Sequence, residues 1–128
     1  MLAAARTRIA RFSPVEARDS NGLIVDLRCG DVRERLGIVP GSVHVPRSVL
    51  EWRADASSGW SNPVLHGRKL ILMCDQGYSS SLAAASLSEL GVDAGDMDGG
   101  FDAWAGAGLA ITPAPPSGGG LPGMGGPQ

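Results

Sequence analysis

Four consecutive apolar residues, Leu70-Ile71-Leu72-Met73, run directly into a cysteine and a short polar turn, Cys74-Asp75-Gln76-Gly77-Tyr78-Ser79-Ser80. An apolar run of this length, ended by a glycine-containing turn, reads as a strand buried on both faces. The residues after it, Ser81-Leu82-Ala83-Ala84-Ala85 and on to Leu90, are rich in Ala and Leu and stop at Gly91. They read as a helix, with Ser79 or Ser80 as its N-cap. Cys74 is thereby placed at the carboxyl end of a central strand, where open α/β sheets bind their ligands. Backbone N–H groups of such a loop converge on one point, and the following helix adds partial positive charge there. A thiol held at that point has a depressed pKa and is nucleophilic near neutral pH.

The rest of the chain alternates in the same way. Ile9 to Phe12 is a short first strand, and Ser13-Pro14-Val15-Glu16 is a capping box with Pro at the first helical position. Asn21-Gly22 ends that helix, and Leu23 to Asp26 is an apolar strand. Asp31 with Glu34 opens a short helix that Gly37 stops, Val39-Pro40-Gly41 turns, and Ser42 to Val45 is a third strand. Pro46 begins a further helix carrying Arg47, Val49, Leu50, Trp52 and Arg53, and residues 54–68 are polar and irregular. After the central strand and helix, Val92 to Met97 holds the last strand and Phe101 to Gly106 the last helix. Strands alternating with helices predict an α/β fold, a mainly parallel central sheet of about five strands with helices on both faces.

With the strand ending in Cys74 and its Gly-x-Ser-Ser loop in place, three other segments fall at matching order and spacing. They are Leu23-Ile24-Val25-Asp26-Leu27-Arg28, Pro40-Gly41-Ser42-Val43-His44-Val45-Pro46 and Gly99-Gly100-Phe101-Asp102-Ala103-Trp104. Together the four resemble the rhodanese family of sulfurtransferases in its single-domain form, over roughly residues 8 to 111. The resemblance divides the chain into a loose N-terminus (1–7), one rhodanese-like domain (8–111) and a Gly- and Pro-rich tail (112–128). That tail is too poor in apolar residues to offset its ordering entropy and is expected to be disordered.

The resemblance also implies a chemistry. The Cys74 thiolate takes a sulfur atom from a small donor such as thiosulfate, and the resulting persulfide gives it to an acceptor, cyanide or a thiol. A protein acceptor is a further candidate. The amides of Asp75, Gln76, Gly77, Tyr78, Ser79 and Ser80 stabilise the sulfur anion, as an oxyanion hole does an oxygen anion. Arg28, beside Asp26 at the end of the neighbouring strand, reads first as half of a structural ion pair and second as a substrate-binding cation at the same sheet edge. No organic cofactor and no metal is implied, and His44 and His66 have no partners at ligand spacing. A second class of function shares the loop: a non-catalytic, rhodanese-like regulatory module that binds a partner.

Two features narrow the chemistry. A phosphatase on such a loop needs Arg after Cys and five residues, to fork two phosphate oxygens. Here that position is Ser80. The loop also carries Asp75 where many sulfurtransferases of this kind hold Arg or Lys, which predicts weak thiosulfate affinity or a different donor. Cys29 is either a resolving thiol or a packed cysteine. The net charge of −2 gives no basis for binding nucleic acid or a membrane surface, and two cysteines in 128 residues make no disulfide framework. With no apolar stretch long enough to span a membrane or to act as a signal peptide, the expected location is the cytoplasm.

Overall fold

The computed structural model describes residues 2–50, 54 and 65–115. Five strands form one sheet in the order β1-β5-β4-β2-β3, every neighbouring pair parallel. They are β1 (Arg11–Phe12), β2 (Leu23–Asp26), β3 (Val43–His44), β4 (Leu70–Met73) and β5 (Ala94–Met97). With them lie the helices α1 (Leu2–Arg6), α2 (Pro14–Asp19), α3 (Gly30–Leu36), α4 (Ser79–Glu89) and α5 (Gly100–Gly106).

Strand periodicity divides the core into two layers. Leu23, Val25, Leu70 and Leu72 face a cluster completed by Ala83, Ala84 and Leu87 of α4. Ile24, Ile71 and Met73 face the other way, against Ala17 of α2 and Phe101 and Trp104 of α5. Successive strand residues point to opposite faces, so an unbroken apolar run requires helices on both. All four residues of β4 are fully buried, as Leu70-Ile71-Leu72-Met73 demands.

A local capping signal sets the start of α2, whereas α3, α4 and α5 begin without a side-chain cap. In α2, the Ser13 hydroxyl accepts from the Glu16 N–H at 3.1 Å while the Glu16 carboxylate accepts from the Ser13 N–H at 2.8 Å. Asp31 reads as the N-cap of α3, but the helix begins two residues earlier, at Gly30 with Cys29 as N-cap, so Asp31 lies inside the first turn and favours the helix through the dipole. After Pro46 the chain makes a 3-10 turn, Arg47–Val49, followed by Leu50 in helical conformation. The remainder of that expected helix, with Trp52 and Arg53, and most of the expected 54–68 loop lie outside the described residues.

Two expectations about the ends need correction. Residues 1–7 read as loose, yet Leu2–Arg6 form α1, which packs on α4 with Ala5 buried. Arg8 secures the arm through a 2.6 Å ion pair with Glu89 at the far end of α4. The domain edge at 111 also falls slightly short. Thr112 pairs with Ile38 through two backbone hydrogen bonds, Ile38 N–H to Thr112 O at 2.8 Å and Thr112 N–H to Ile38 O at 2.9 Å. Of the expected disordered tail, residues 116–128 lie outside the described residues.

The strand order fixes where a ligand can bind. From β2 the chain moves outward to β3, and from β4 outward in the opposite direction to β5. The connections therefore diverge between the carboxyl ends of β2 and β4, where a crevice opens in a sheet of this kind. Cys74 follows β4 there, and Leu27-Arg28-Cys29 follows β2.

Candidate active site

The loop from Cys74 to Ser80 curls back on its own sulfur. The Gly77 N–H donates to Cys74 Sγ at 3.1 Å, and Sγ lies 3.4 Å from Ser80 Oγ. Gly77 makes the curl with φ +91°, and a side chain there would meet the Gly99 amide nitrogen at 2.9 Å. Cys74, Gly77 and Ser80 are buried, whereas Asp75, Gln76, Tyr78 and Ser79 are exposed around the rim. The expected site residues of the loop are thus brought together, with the sulfur beneath and polar groups above.

Burial pushes the Cys74 thiol up. Hydrogen bonds from the Ser80 and Ser79 side chains and from the Ser80 and Gly77 backbone outweigh burial and hold the thiol below its ordinary value. Tyr78, not a serine, is the N-cap of α4, and it makes no side-chain cap. The serines expected to cap the helix are drawn sideways instead, Ser80 to the sulfur and to a carboxylate in the sheet.

That carboxylate belongs to Asp96 in β5, fully buried, which the sequence reading did not single out. It accepts Ser80 Oγ at 3.0 Å, Ser81 Oγ at 2.6 Å and a two-pronged contact from Arg11 of β1, Nε at 2.9 Å and Nη2 at 3.2 Å. Arg6 of α1 completes the cluster: its Nε donates to Ser81 Oγ at 3.1 Å and its Nη2 to the Gly77 carbonyl at 3.0 Å. The Arg6 guanidinium also sits 5.9 Å from the Tyr78 ring centre. Positive charge thus reaches the loop from the N-terminal segment. One signal for this was available, an aspartate inside a strand read as buried, since such a charge needs a cation.

The Arg28 side chain is held in structural contacts beneath the loop. Its side chain is fully buried and forks Asp26 with Nε at 3.0 Å and Nη2 at 2.9 Å, and Nη2 also donates to the Gly37 carbonyl at 2.8 Å. Arg33 donates to the same carboxylate at 3.1 Å. The guanidinium stacks 3.8 Å from the centre of the Phe101 ring, and the Phe101 N–H donates to the Cys74 carbonyl at 2.8 Å. Arg28 thus supports the loop from below, through α5. Cys29 is a free, exposed thiol at the N-cap of α3. Among the described residues, no group of three His, Cys, Asp or Glu side chains is placed to hold a metal ion.

A family model described as the rhodanese-like domain matches residues 14–107. No curated protein sequence matches the chain significantly. Several solved structures are similar. One is a protein of unknown function from Rhodopseudomonas palustris, named a possible tyrosine phosphatase. It is 31% identical at a TM-score of 0.81, over 87% of this chain and 90% of that one. A polysulfide-sulfur transferase homodimer from Wolinella succinogenes is 25% identical at a TM-score of 0.65, over 88% of this chain and 85% of that one. A thiosulfate sulfurtransferase from Pseudomonas aeruginosa, 22% identical with a TM-score of 0.67, shares the fold over 83% of this chain and 20% of its own length.

Proposed function

The chain belongs to the rhodanese-like domain family, and from that membership we propose that it is a sulfurtransferase working through a persulfide on Cys74. The observation that carries the proposal is the sulfur itself. Cys74 Sγ sits at the carboxyl end of the central strand and receives the Gly77 N–H at 3.1 Å, with its thiol held below the ordinary value. These are the properties a thiolate nucleophile needs near neutral pH.

The reaction runs in two displacements. The Cys74 thiolate attacks the outer, sulfane sulfur of a donor R–S–S or thiosulfate. A new sulfur–sulfur bond forms on Cys74, the old one breaks, and the leaving thiolate or sulfite departs with the bonding pair. An acceptor then attacks the outer sulfur of the persulfide. Cyanide leaves as thiocyanate or a thiol as a persulfide, and the Cys74 thiolate is restored. In both steps negative charge stays on sulfur within the curl of loop amides, where preorganised donors stabilise it without reorganisation.

The donor class follows from the rim. Residues 75–80 contain no Lys or Arg, Asp75 is exposed there, and Arg28 is committed to Asp26 beneath the loop. An organic persulfide carries one negative charge, and a polysulfide's two charges sit at opposite ends of the chain, so that one can stay in solvent. Either therefore suits the site better than the compact thiosulfate dianion. The Wolinella protein, named for transfer of sulfur from polysulfide, supports the same choice. Two free cysteines fit a reducing compartment, so a cytoplasmic role is part of the proposal.

The name of the Rhodopseudomonas structure raises phosphatase activity as a second reading. Here the residue that follows Cys74 and five others is Ser80, buried and bonded to Asp96, so the guanidinium fork for phosphate is missing. The test is direct: thiocyanate formation from cyanide with polysulfide or thiosulfate, alongside hydrolysis of an aryl phosphate. Sulfur transfer that Cys74→Ala abolishes, faster with polysulfide and without phosphatase turnover, supports the proposal. Aryl phosphate hydrolysis that depends on Cys74, with no sulfur transfer, contradicts it.

A further inference from the structure

Ser80 stands between two groups that want its single hydroxyl hydrogen. Its Oγ lies 3.0 Å from Asp96 Oδ2 on one side and 3.4 Å from Cys74 Sγ on the other. While the hydrogen points at Asp96, Ser80 shows the sulfur only lone pairs, which suit a thiol S–H and oppose a thiolate. A thiolate needs the hydrogen turned towards it.

The surroundings allow that turn. Asp96 has three other donors, the Ser81 hydroxyl and two N–H groups of Arg11, so it remains satisfied when Ser80 lets go. The Ser81 hydroxyl in turn is free to stay on Asp96. Its other neighbour, the Gly77 carbonyl at 3.0 Å, already receives Arg6 Nη2, and Arg6 Nε donates to Ser81 Oγ. Without the arginines, a buried carboxylate short of donors would hold the Ser80 hydrogen against the sulfur.

We propose that Ser80 is a hydroxyl switch, donating to Asp96 when Cys74 is a thiol and to the sulfur when it is a thiolate. Arg11, with Arg6 behind it, is the positioning residue that frees it to turn. Both arginines lie before the residues the family model matches, 14–107, so the N-terminal segment brings its own device to the loop. On ionisation the Cys74 proton leaves to solvent; Ser80 rotates about its Cβ–Oγ bond, keeps its own proton and exchanges one hydrogen bond for another. The inference rests on the reading of Cys74 as a thiolate nucleophile.

Among the described residues, charged groups on the elements packed around the loop are few. They are Arg6 on α1, Arg11 on β1, Asp96 and the adjoining Asp98 at β5, Asp102 on α5, Asp75 in the loop itself, and Asp26 at the end of β2 with its partners Arg28 and Arg33. Asp98 is exposed and shares Arg11, whose Nη1 lies 3.1 Å from its carboxylate. Helix α4 carries only Glu89, at its far end and paired with Arg8.

The test follows Cys74 alkylation by iodoacetamide as a function of pH, in a Cys29→Ser background so that one thiol reacts. It needs no sulfur donor, so its outcome is separate from that of the sulfur-transfer assay. Circular dichroism first checks the fold of each variant. Ser80→Ala is expected to move the alkylation midpoint up by about one pH unit, a roughly tenfold slower reaction at neutral pH, the size expected for one hydrogen bond to a charged group. Arg11→Gln is expected to slow alkylation by a similar factor when Ser80 is present and by much less in the Ser80→Ala protein. A midpoint that falls or stays put in Ser80→Ala overturns the proposal, because the hydrogen then never serves the sulfur. Equal slowing by Arg11→Gln with and without Ser80 overturns the role of Arg11, which then acts as a plain charge. If Arg11→Gln does not fold, Ser80→Ala alone decides the switch.

Discussion

The N–H of Phe101 donates to the carbonyl oxygen of Cys74 at 2.8 Å, so the first turn of α5 is fastened to the residue that carries the reactive sulfur. The Asp102 N–H repeats the contact one residue on, to the Asp75 carbonyl at 3.0 Å. This approach is close enough that only glycine fits at position 100. Its φ is +61°, and a methyl group there would overlap the Cys74 carbonyl oxygen and meet the Asp75 carbonyl carbon at 2.8 Å.

Gly100→Ala is therefore expected to destabilise the protein by about 1–2 kcal/mol from the left-handed backbone alone, with the overlap adding to it. Sulfur transfer should fall by more than the folded fraction does, because the clash is with the loop itself. Urea unfolding and activity measured on the same preparation check this. Unchanged stability would mean that α5 does not press on the loop.

Asp26 holds two buried guanidinium groups, Arg28 at 2.9 Å and Arg33 at 3.1 Å. Removing one partner of a buried pair leaves uncompensated charge, so Asp26→Ala should cost about 3–5 kcal/mol. The fraction that remains folded should keep its KM for the sulfur donor. A raised KM with normal stability would return Arg28 to the substrate side.

His44 donates through Nε2 to the Arg28 carbonyl, 2.8 Å away. Burial, then the nearby Arg33 charge, hold its pKa below the ordinary 6.5, against the opposing pull of that hydrogen bond and of Asp26. The unfolded chain therefore binds a proton at higher pH than the folded one. Stability from this residue is complete above about pH 6.5 and is lost as the pH falls towards the lower folded value. His44→Gln should flatten the stability profile over that window, as thermal unfolding at a series of pH values will read. A slope unchanged by the substitution would assign the acid sensitivity to other groups.

The fold was legible because its signals are local. The alternation of apolar strands, the Ser13–Glu16 capping box and the all-buried Leu70–Met73 run each decide an element from within a few residues. The loop was legible for the same reason, Cys74 through Ser80 being contiguous. What escaped was long-range. Arg11 and Asp96 are 85 positions apart, Arg6 and Ser81 are 75, and no local pattern announces either pair. Ser79 and Ser80 sit where helix caps belong, and the competing attraction of a buried carboxylate and a sulfur could not be weighed without knowing that Asp96 lies beneath. For Arg28, proximity in sequence to Asp26 correctly raised the ion pair. Its burial under Phe101 decides in that direction.

The most direct measurement is the intact mass of the protein after incubation with polysulfide, before and after addition of cyanide, in the wild type and in Cys74→Ala. Sulfur transfer through Cys74 predicts a gain of about 32 Da, one sulfur atom, that maps to Cys74, disappears with cyanide and is missing from the alanine variant. A gain that survives Cys74→Ala, or no gain on a wild-type protein whose Cys74 still alkylates, would contradict it.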